Sequence, residues 1–276
     1  MRISAATATC AIVLHPAGHT RSPAMHNAAF AALGIDAIYT AFDVPPERLG
    51  DAIRGARALG IRQLAVSIPH KQAVIEFLDE VDDTARRIGA VNTVTLRDGA
   101  LVGTNTDWLG AVRALENTSS LAKRRAVVLG AGGTARAVTF GLLERGAEVT
   151  VLNRTESKAR DLVADLGAKA AGSLDDLDTG TFDVLVNTTS VGLSSDESPV
   201  PAAAHTSGAI VLDAVYQPER TRLLRDAEAA GAHPIGGKWM LVHQAAEQIR
   251  LWTGQSPPLP AMARAFDQAG QKNEAA

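Results

Sequence analysis

The chain has 276 residues, 46% hydrophobic, 21% charged and 4% aromatic, with a formal net charge of -3 and one cysteine. Such a length suits two modest domains, and the ordinary globular composition, rich in helix-favouring alanine, excludes a disordered or fibrous chain. The slightly acidic balance lacks the basic footprint of a nucleic-acid binder, and a lone Cys10 excludes an intrachain disulfide framework and fits a reducing compartment.

The first apolar run is interrupted by threonines and ends in His15-Pro16, so it reads as a strand rather than a signal peptide. No stretch offers the ~20 strongly apolar residues of a membrane span. A cytoplasmic protein working on small molecules, as a monomer or homodimer and without a metal, is expected. After the first strand, Ser22 followed by Pro23 predicts a helix N-cap with proline at the first helical position, and Gly34 closes that helix. A strand follows near residues 36–44. Pro46 opens a second helix that Gly60 ends, and residues 61–69 form the next strand, an alternation typical of parallel α/β folds. Residues 94–104 read as a hairpin turning at Asp98-Gly99. A helix over 108–117 leads into "TSSLAKRR", a polar join and candidate boundary. Beyond it "AVVLG", "EVTVLN", "FDVLVNTT" and "AIVLDAV" alternate with helices, which predicts a second α/β unit with a parallel sheet. A last helix over 239–252 is expected to pack back on the first domain.

"AVVLGAGGTARAV" sets Gly130, Gly132 and Ala135 in the G-x-G-x-x-G/A register, after a strand and opening a helix. Gly130 makes the tight turn, Gly132 lets the backbone approach a pyrophosphate and Ala135 permits close helix packing, with the anion at the helix N-terminus. The next strand ends not in an acid, as a free ribose hydroxyl would ask, but in Asn153, Arg154 and Thr155, with Lys158 a turn later. A guanidinium and neutral polar groups suit a 2′-phosphate, so NADP is preferred over NAD.

Polar residues of the first domain gather in "HTRSP" (19–23), "VSIPHK" (66–71), and "GAVNTV" with "GTNTDWLG" (89–110), each at the end of an element. Each has an ordinary structural reading: Ser22 and Asp107 as helix caps, Asn92 as a turn residue, and Lys71 with its stem on apolar surface and its ammonium in water. Taken with the cofactor loop, "HTRSP", "AVSIPHK", "GAVNT", "NTDWLG", "GAGGTAR", "NRT" and "NTTSVG" occur in the order in which the shikimate dehydrogenase family has its motifs. The tail, "DAVYQPERTRLL" and "GKWMLVHQAAEQIRLWTG", is also similar, so the resemblance covers nearly the whole chain.

What the resemblance implies is two α/β domains: a substrate-binding domain over 1–106 and a Rossmann-type NADP-binding domain over 107–237, with C-terminal helices over 238–276 returning to the first. It implies NADP-dependent, reversible reduction of 3-dehydroshikimate to shikimate, a step of aromatic amino acid and chorismate biosynthesis. Lys71 and Asp107 match the catalytic pair, Thr20 and Ser22 the carboxylate-binding hydroxyls, and Ser67, Asn92, Tyr216 and Gln244 further substrate contacts. Ala131, Gly133 and Thr134 of the loop, with Thr188 and Gly237, complete the implied cofactor contacts. Reduction of a ketone requires one positioned acid, a role an ammonium can fill; which of Lys71 and Asp107 holds the proton is a property of the coupled pair. The departures are Ala65 for the family's asparagine, Thr20 for the first serine, Ser67 for a threonine, Leu14 for a glycine, and "GGKWM" for G-L-G-M. With Ala65 in place of that asparagine, the site loses an amide donor and acceptor, worth ~1–3 kcal/mol if a buried partner is left unpaired. A quinate-type or other cyclic hydroxy acid is therefore an alternative substrate, and a catalytically weak NADP-binding sensor an alternative of another class.

Overall fold

The computed structural model describes residues 3–178 and 180–274. They divide into two compact units, one of the described residues up to 106 together with those from 244 on, the other of those between 107 and 243. The first unit contains β1 (Ala8–Leu14), α1 (Ser22–Leu33), β2 (Ala37–Asp43), α2 (Leu49–Ala58), β3 (Gln63–Val66), β4 (Glu80–Val81), α3 (Asp83–Ile88), β5 (Thr93–Arg97) and β6 (Ala100–Thr104). The second contains α4 (Asp107–Glu116), β7 (Arg125–Leu129), α5 (Gly133–Glu144), β8 (Glu148–Leu152), α6 (Glu156–Leu166), β9 (Ala170–Gly172), β10 (Val184–Asn187), β11 (Ile210–Asp213), α7 (Arg222–Ala229) and β12 (His233–Ile235). A long helix, α8 (Gly237–Thr253), starts in the second unit and passes at Gln244 into the first, where α9 (Leu259–Glu274) follows. The division therefore falls inside α8, six residues past the 237/238 point read from the sequence, because that helix runs on without a break.

In the first unit the sheet order is β2-β1-β3-β5-β6-β4. Strands β1, β2 and β3 are parallel, whereas β5 runs antiparallel to both β3 and β6. The sheet is thus mixed, not parallel throughout, because the hairpin reverses the chain without a crossover. Its turn has Asp98 at φ 49 and Gly99 at φ 84, the two left-handed residues of a type I′ turn that fits the strand twist. One face buries Ala11, Val13, Leu64, Val66 and Val94 against Leu49 and Ile53 of α2, each large aliphatic side chain contributing ~1.5–3 kcal/mol. The opposite face carries a buried polar row, Tyr39, Cys10, Gln63 and Thr95, aligned by the strand register.

Helix α1 begins at Ser22 itself, with Arg21 in the cap position and no side-chain cap. The Ser22 N–H donates instead to Thr20 Oγ1 at 3.3 Å, so the hydroxyl that tidies this end is Thr20 and not the expected Ser22. Gly34 closes the helix in the left-handed conformation, as the sequence predicts. Likewise Asp107 is the first residue of α4 and not its cap, an acid in the first turn that suits the helix dipole. The sequence reading assigned no element between residues 70 and 88. There α3 is capped by the Asp82 carboxylate, which accepts the Ala85 N–H at 2.6 Å, and ended by Gly89 in the left-handed region.

The second unit's sheet is parallel throughout, in the order β12-β11-β10-β7-β8-β9. Counted within the unit this is 3-2-1-4-5-6, the doubly wound dinucleotide-binding order. Its central strands β7, β10 and β11 are short, largely apolar runs buried on both faces, as the inner strands of a parallel sheet are. The polar join at 118–125 is not the boundary: α4 precedes it and belongs to the second unit, where Trp108 meets Phe140 of α5 edge to face at 5.5 Å.

Candidate active site

In the second unit the sheet reverses its winding between β7 and β10, and the loop after β7 occupies that point. Gly130 has φ 111, and a Cβ there would stand 2.6 Å from Thr188 Oγ1 at the end of β10. Thr188 closes on the same turn, donating its N–H to the Leu129 carbonyl at 2.9 Å and its hydroxyl to it at 2.6 Å. Gly132 is the extended cap residue of α5, with no side chain folding over the first turn. A Cβ at Gly132 would meet nothing within 4 Å, so the space above the helix start stays open. Ala131, Gly133 and Thr134 continue the loop into α5, and Ala135 is fully buried beneath it. The helix start and the open space above it offer main-chain N–H groups of the kind that suit an anion.

At the end of β8, Arg154, Thr155 and Lys158 are exposed, while the Asn153 amide donates to the Thr155 carbonyl at 2.8 Å and shapes the turn. Gly237, at the start of α8, packs on the end of β11: a Cβ would lie 2.7 Å from the Ala214 carbonyl oxygen. Tyr216 follows β11 at the same carboxyl edge. A network that the sequence reading did not single out holds this edge. Asp213 is fully buried and accepts from the Asn187 amide at 2.9 Å, the Val215 N–H at 3.0 Å and the Thr221 hydroxyl at 2.6 Å. Burial pushes its carboxyl up to about 6 against these hydrogen bonds. Asn187 Oδ1 in turn accepts the Thr189 N–H and hydroxyl. The available signal was the polar residue ending each of two otherwise apolar strands, "VLVN" and "IVLD".

In the first unit, the carboxyl ends of β1, β3 and β6 and the amino end of antiparallel β5 share one edge. That geometry gathers residues far apart in sequence. Thr20 and Ser22 follow β1; Ser67 follows β3, its N–H bonded to the Val13 carbonyl at 3.0 Å. The Lys71 carbonyl accepts the Val91 N–H at 2.7 Å, which anchors the lysine beside the residue that precedes Asn92. Asn92 is buried at the centre: its Oδ1 accepts from the Thr93 hydroxyl and from the Thr106 N–H, both at 2.8 Å. Its Nδ2 donates to Thr106 Oγ1 at 3.0 Å and to Gln244 Oε1 of α8 at 3.2 Å. Thr93 and Thr106 were missed by the sequence reading, although both lie inside its motifs. Thus Thr20, Ser22, Ser67, Lys71, Asn92 and Gln244 lie in the first unit, whereas Asp107, Tyr216 and the loop residues lie in the second.

Three family models match along the chain: shikimate dehydrogenase substrate binding domain at residues 12–94, shikimate / quinate 5-dehydrogenase at 113–197, and shikimate 5'-dehydrogenase C-terminal domain at 237–265. A relative from Thermococcus kodakarensis, named shikimate dehydrogenase (NADP(+)), is 49% identical over 89% of this chain and 91% of its own. The chain belongs to the shikimate dehydrogenase family. Another family member of the same name, from Methanothermobacter thermautotrophicus, is 47% identical over 94% of this chain and 96% of its own. Among solved structures, the Thermus thermophilus shikimate 5-dehydrogenase in complex with NADP(H) and shikimate aligns with a TM-score of 0.89 and 40% identity, covering 95% of this chain and 99% of that one. Members of the family thus share the two-domain α/β architecture described above. Among the described residues no helix is long and apolar enough to cross a membrane.

Proposed function

We propose that this protein is a cytoplasmic, NADP-dependent dehydrogenase that interconverts 3-dehydroshikimate and shikimate. The observation that carries the reading is the convergence of Ser67, Lys71, Asn92, Thr106 and Gln244 on one edge of the first sheet, in a chain whose relatives bear that activity in their names.

The second unit fits the cofactor. Gly130, Ala131, Gly132, Gly133, Thr134 and Ala135 would hold the pyrophosphate on main chain and helix N-terminus, with Thr188 and Gly237 shaping the crevice. Arg154, with Asn153, Thr155 and Lys158, would hold the 2′-phosphate. Bound there, NADP supplies or accepts the hydride. The protein's own task is the proton and the placement of the substrate. Lys71 as ammonium donates to the carbonyl oxygen in reduction and takes the proton back in oxidation, paired in this role with Asp107.

The substrate carboxylate is read by the hydroxyls of Thr20 and Ser22. Thr20 Oγ1 already accepts the Ser22 N–H, which leaves its single hydrogen to donate to an anion. Asn92, Ser67, Tyr216 and Gln244 engage the ring hydroxyls.

The test is Lys71→Ala with steady-state kinetics and NADP⁺ binding. Turnover falls ~10²- to 10⁴-fold, the usual worth of a general acid-base group, and NADP⁺ affinity is kept. Near wild-type turnover would return Lys71 to an ordinary surface lysine.

A further inference from the structure

Between Thr20 and Ser22, the two hydroxyls proposed to read the substrate carboxylate, stands Arg21, which has no part in the site as described. It occupies the cap position of α1, where a short hydroxyl or carboxylate side chain is favoured, and it makes no side-chain cap bond. Its side chain is buried, with 2% of the residue exposed, an uncommon state for an arginine. The guanidinium goes to α9. Its central carbon lies 4.4 Å from the centroid of the Phe266 ring, the stacked arrangement that an aromatic face favours. One turn further along α9, Gly270 leaves the space that the guanidinium fills: a Cβ there would stand 2.6 Å from Nη1 and 2.7 Å from Nη2 and Cζ. Phe266 and Gly270, at i and i+4, share one face of the helix and together form a socket for Arg21.

Arg21 ties that socket to the loop between β1 and α1. The loop exposes His15, Pro16 and Gly18, so the burial that pins its far end begins at Arg21. The Arg21 carbonyl accepts the Met25 N–H at 3.3 Å and opens the helix. The Ser22 N–H, next along the chain, donates to Thr20 Oγ1. Side-chain anchor, helix start and hydroxyl pair thus fall on three consecutive residues, and a shift of the Arg21 backbone carries both hydroxyls with it.

We propose that Arg21 is a positioning residue for the substrate carboxylate, fixing Thr20 and Ser22 by seating its guanidinium in the socket that Phe266 and Gly270 form on α9. The C-terminal helix thereby takes part in reading the substrate without touching it. The proposal deepens the assignment of the carboxylate to Thr20 and Ser22 and rests on it. It also accounts for a glycine inside α9, where helix propensity alone disfavours one: any side chain at position 270 would displace the guanidinium.

The experiment compares wild type, Arg21→Met, Gly270→Ala, their double variant and Ser22→Ala. It reads kcat, the KM for NADP⁺, and the KM for shikimate and for its methyl ester, which keeps the ring hydroxyls and lacks the carboxylate. Gly270→Ala alters no charge and favours the helix, so it disturbs only the seat of the guanidinium. Gly270→Ala and Arg21→Met each raise the shikimate KM about 5- to 10-fold, the size of one hydrogen bond weakened. The kcat stays within about 2-fold, because binding common to ground and transition state is what is lost. The methyl ester, bound without charge-assisted hydrogen bonds to a carboxylate, keeps its wild-type KM, and so does NADP⁺. The double variant is no worse than Arg21→Met, since the added methyl group then has no guanidinium to displace. Gly270→Ala carries the test if Arg21→Met fails to fold. Provided Ser22→Ala raises the shikimate KM, the proposal alone is overturned by an unchanged shikimate KM in a folded single variant, by an equal rise for the methyl ester or for NADP⁺, or by additive effects in the double variant. If Ser22→Ala leaves the shikimate KM at the wild-type value, the carboxylate assignment falls and the proposal falls with it.

Discussion

At the end of β7 the proposed cofactor edge is made chiefly of main chain: the Gly130 turn, the open start of α5 and the Gly237 contact with β11. The edge beyond β3 and β6 is made of side chains instead, with Asn92 bonded to Gln244, 152 positions away in the sequence. A backbone-built site is dictated by its own few residues and tolerates no Cβ where main chain or a neighbour stands close, as at Gly130 and Gly237. A side-chain-built site depends on distant partners, so its specificity can shift one residue at a time while the sheet stays as it is. The departure at position 65, which pairs across the ladder with Thr93, is a case of the second kind.

Acid sharpens the contrast most. His26 in the first unit is fully buried, stacked on Tyr39 at 3.9 Å, with Nδ1 on the Ser22 carbonyl. Burial pulls it from 6.5 to about 4, the Ser22 carbonyl and neighbouring Gln248 opposing the shift. The unfolded chain therefore takes its proton first, and this contribution to stability is lost as pH falls through the window from 6.5 to about 4. Asp213 in the second unit behaves oppositely: raised from 3.8 to about 6, it binds its proton first when folded, and its contribution grows as pH falls across that window. Each is worth at most about 3 kcal/mol. In urea unfolding at pH 7 and pH 4.5, His26→Gln should lose less stability on acidification than wild type and Asp213→Asn more. Slopes identical to wild type in both variants would break the contrast.

Arg154→Ala comes next. Removing a charge-assisted hydrogen bond worth ~1.5–3 kcal/mol weakens NADP⁺ about 10- to 100-fold and leaves NAD⁺ nearly unaffected, since only the former carries the 2′-phosphate. Equal losses in the two KM values would remove the phosphate-reading role.

Gly130→Ala probes the main-chain edge. A left-handed residue with a Cβ costs ~1–2 kcal/mol, and the approach to Thr188 Oγ1 adds a clash. The NADP⁺ KM should rise at least ~5-fold with the shikimate KM unmoved; an equal rise in both would blur the division between the two edges. The smallest effect is expected from Ala65→Asn. Cross-strand pairs carry ~0.2–1 kcal/mol, and Thr93 is already held by Gln248, so the shikimate KM should change less than ~5-fold. A larger gain would show that position 65 still lacks a partner.

Where the sequence could be read, the determinant was local. Gly34, Asp98-Gly99 and the Gly130 loop announce their conformations by composition alone, because few residues adopt positive φ. Ser22 misled for a related reason: the cap signal is shared among neighbouring hydroxyls, and Thr20, two residues earlier, takes the bond. The hairpin at 94–104 was legible, but its joining the first sheet antiparallel to β3 was not, because strand pairing is set by tertiary contacts and not by pattern. Gln63 and Gln248 carry no local signal in the sequence, and only the meeting of β3 with α8 shows them buried and bonded.

The most direct test of the central claim is the initial rate of the unmodified protein with shikimate and with quinate, each against NADP⁺ and NAD⁺. Shikimate with NADP⁺ is expected to give the highest kcat/KM of the four. Quinate with NAD⁺ outrunning it, or no turnover of shikimate with either nucleotide, would contradict the account.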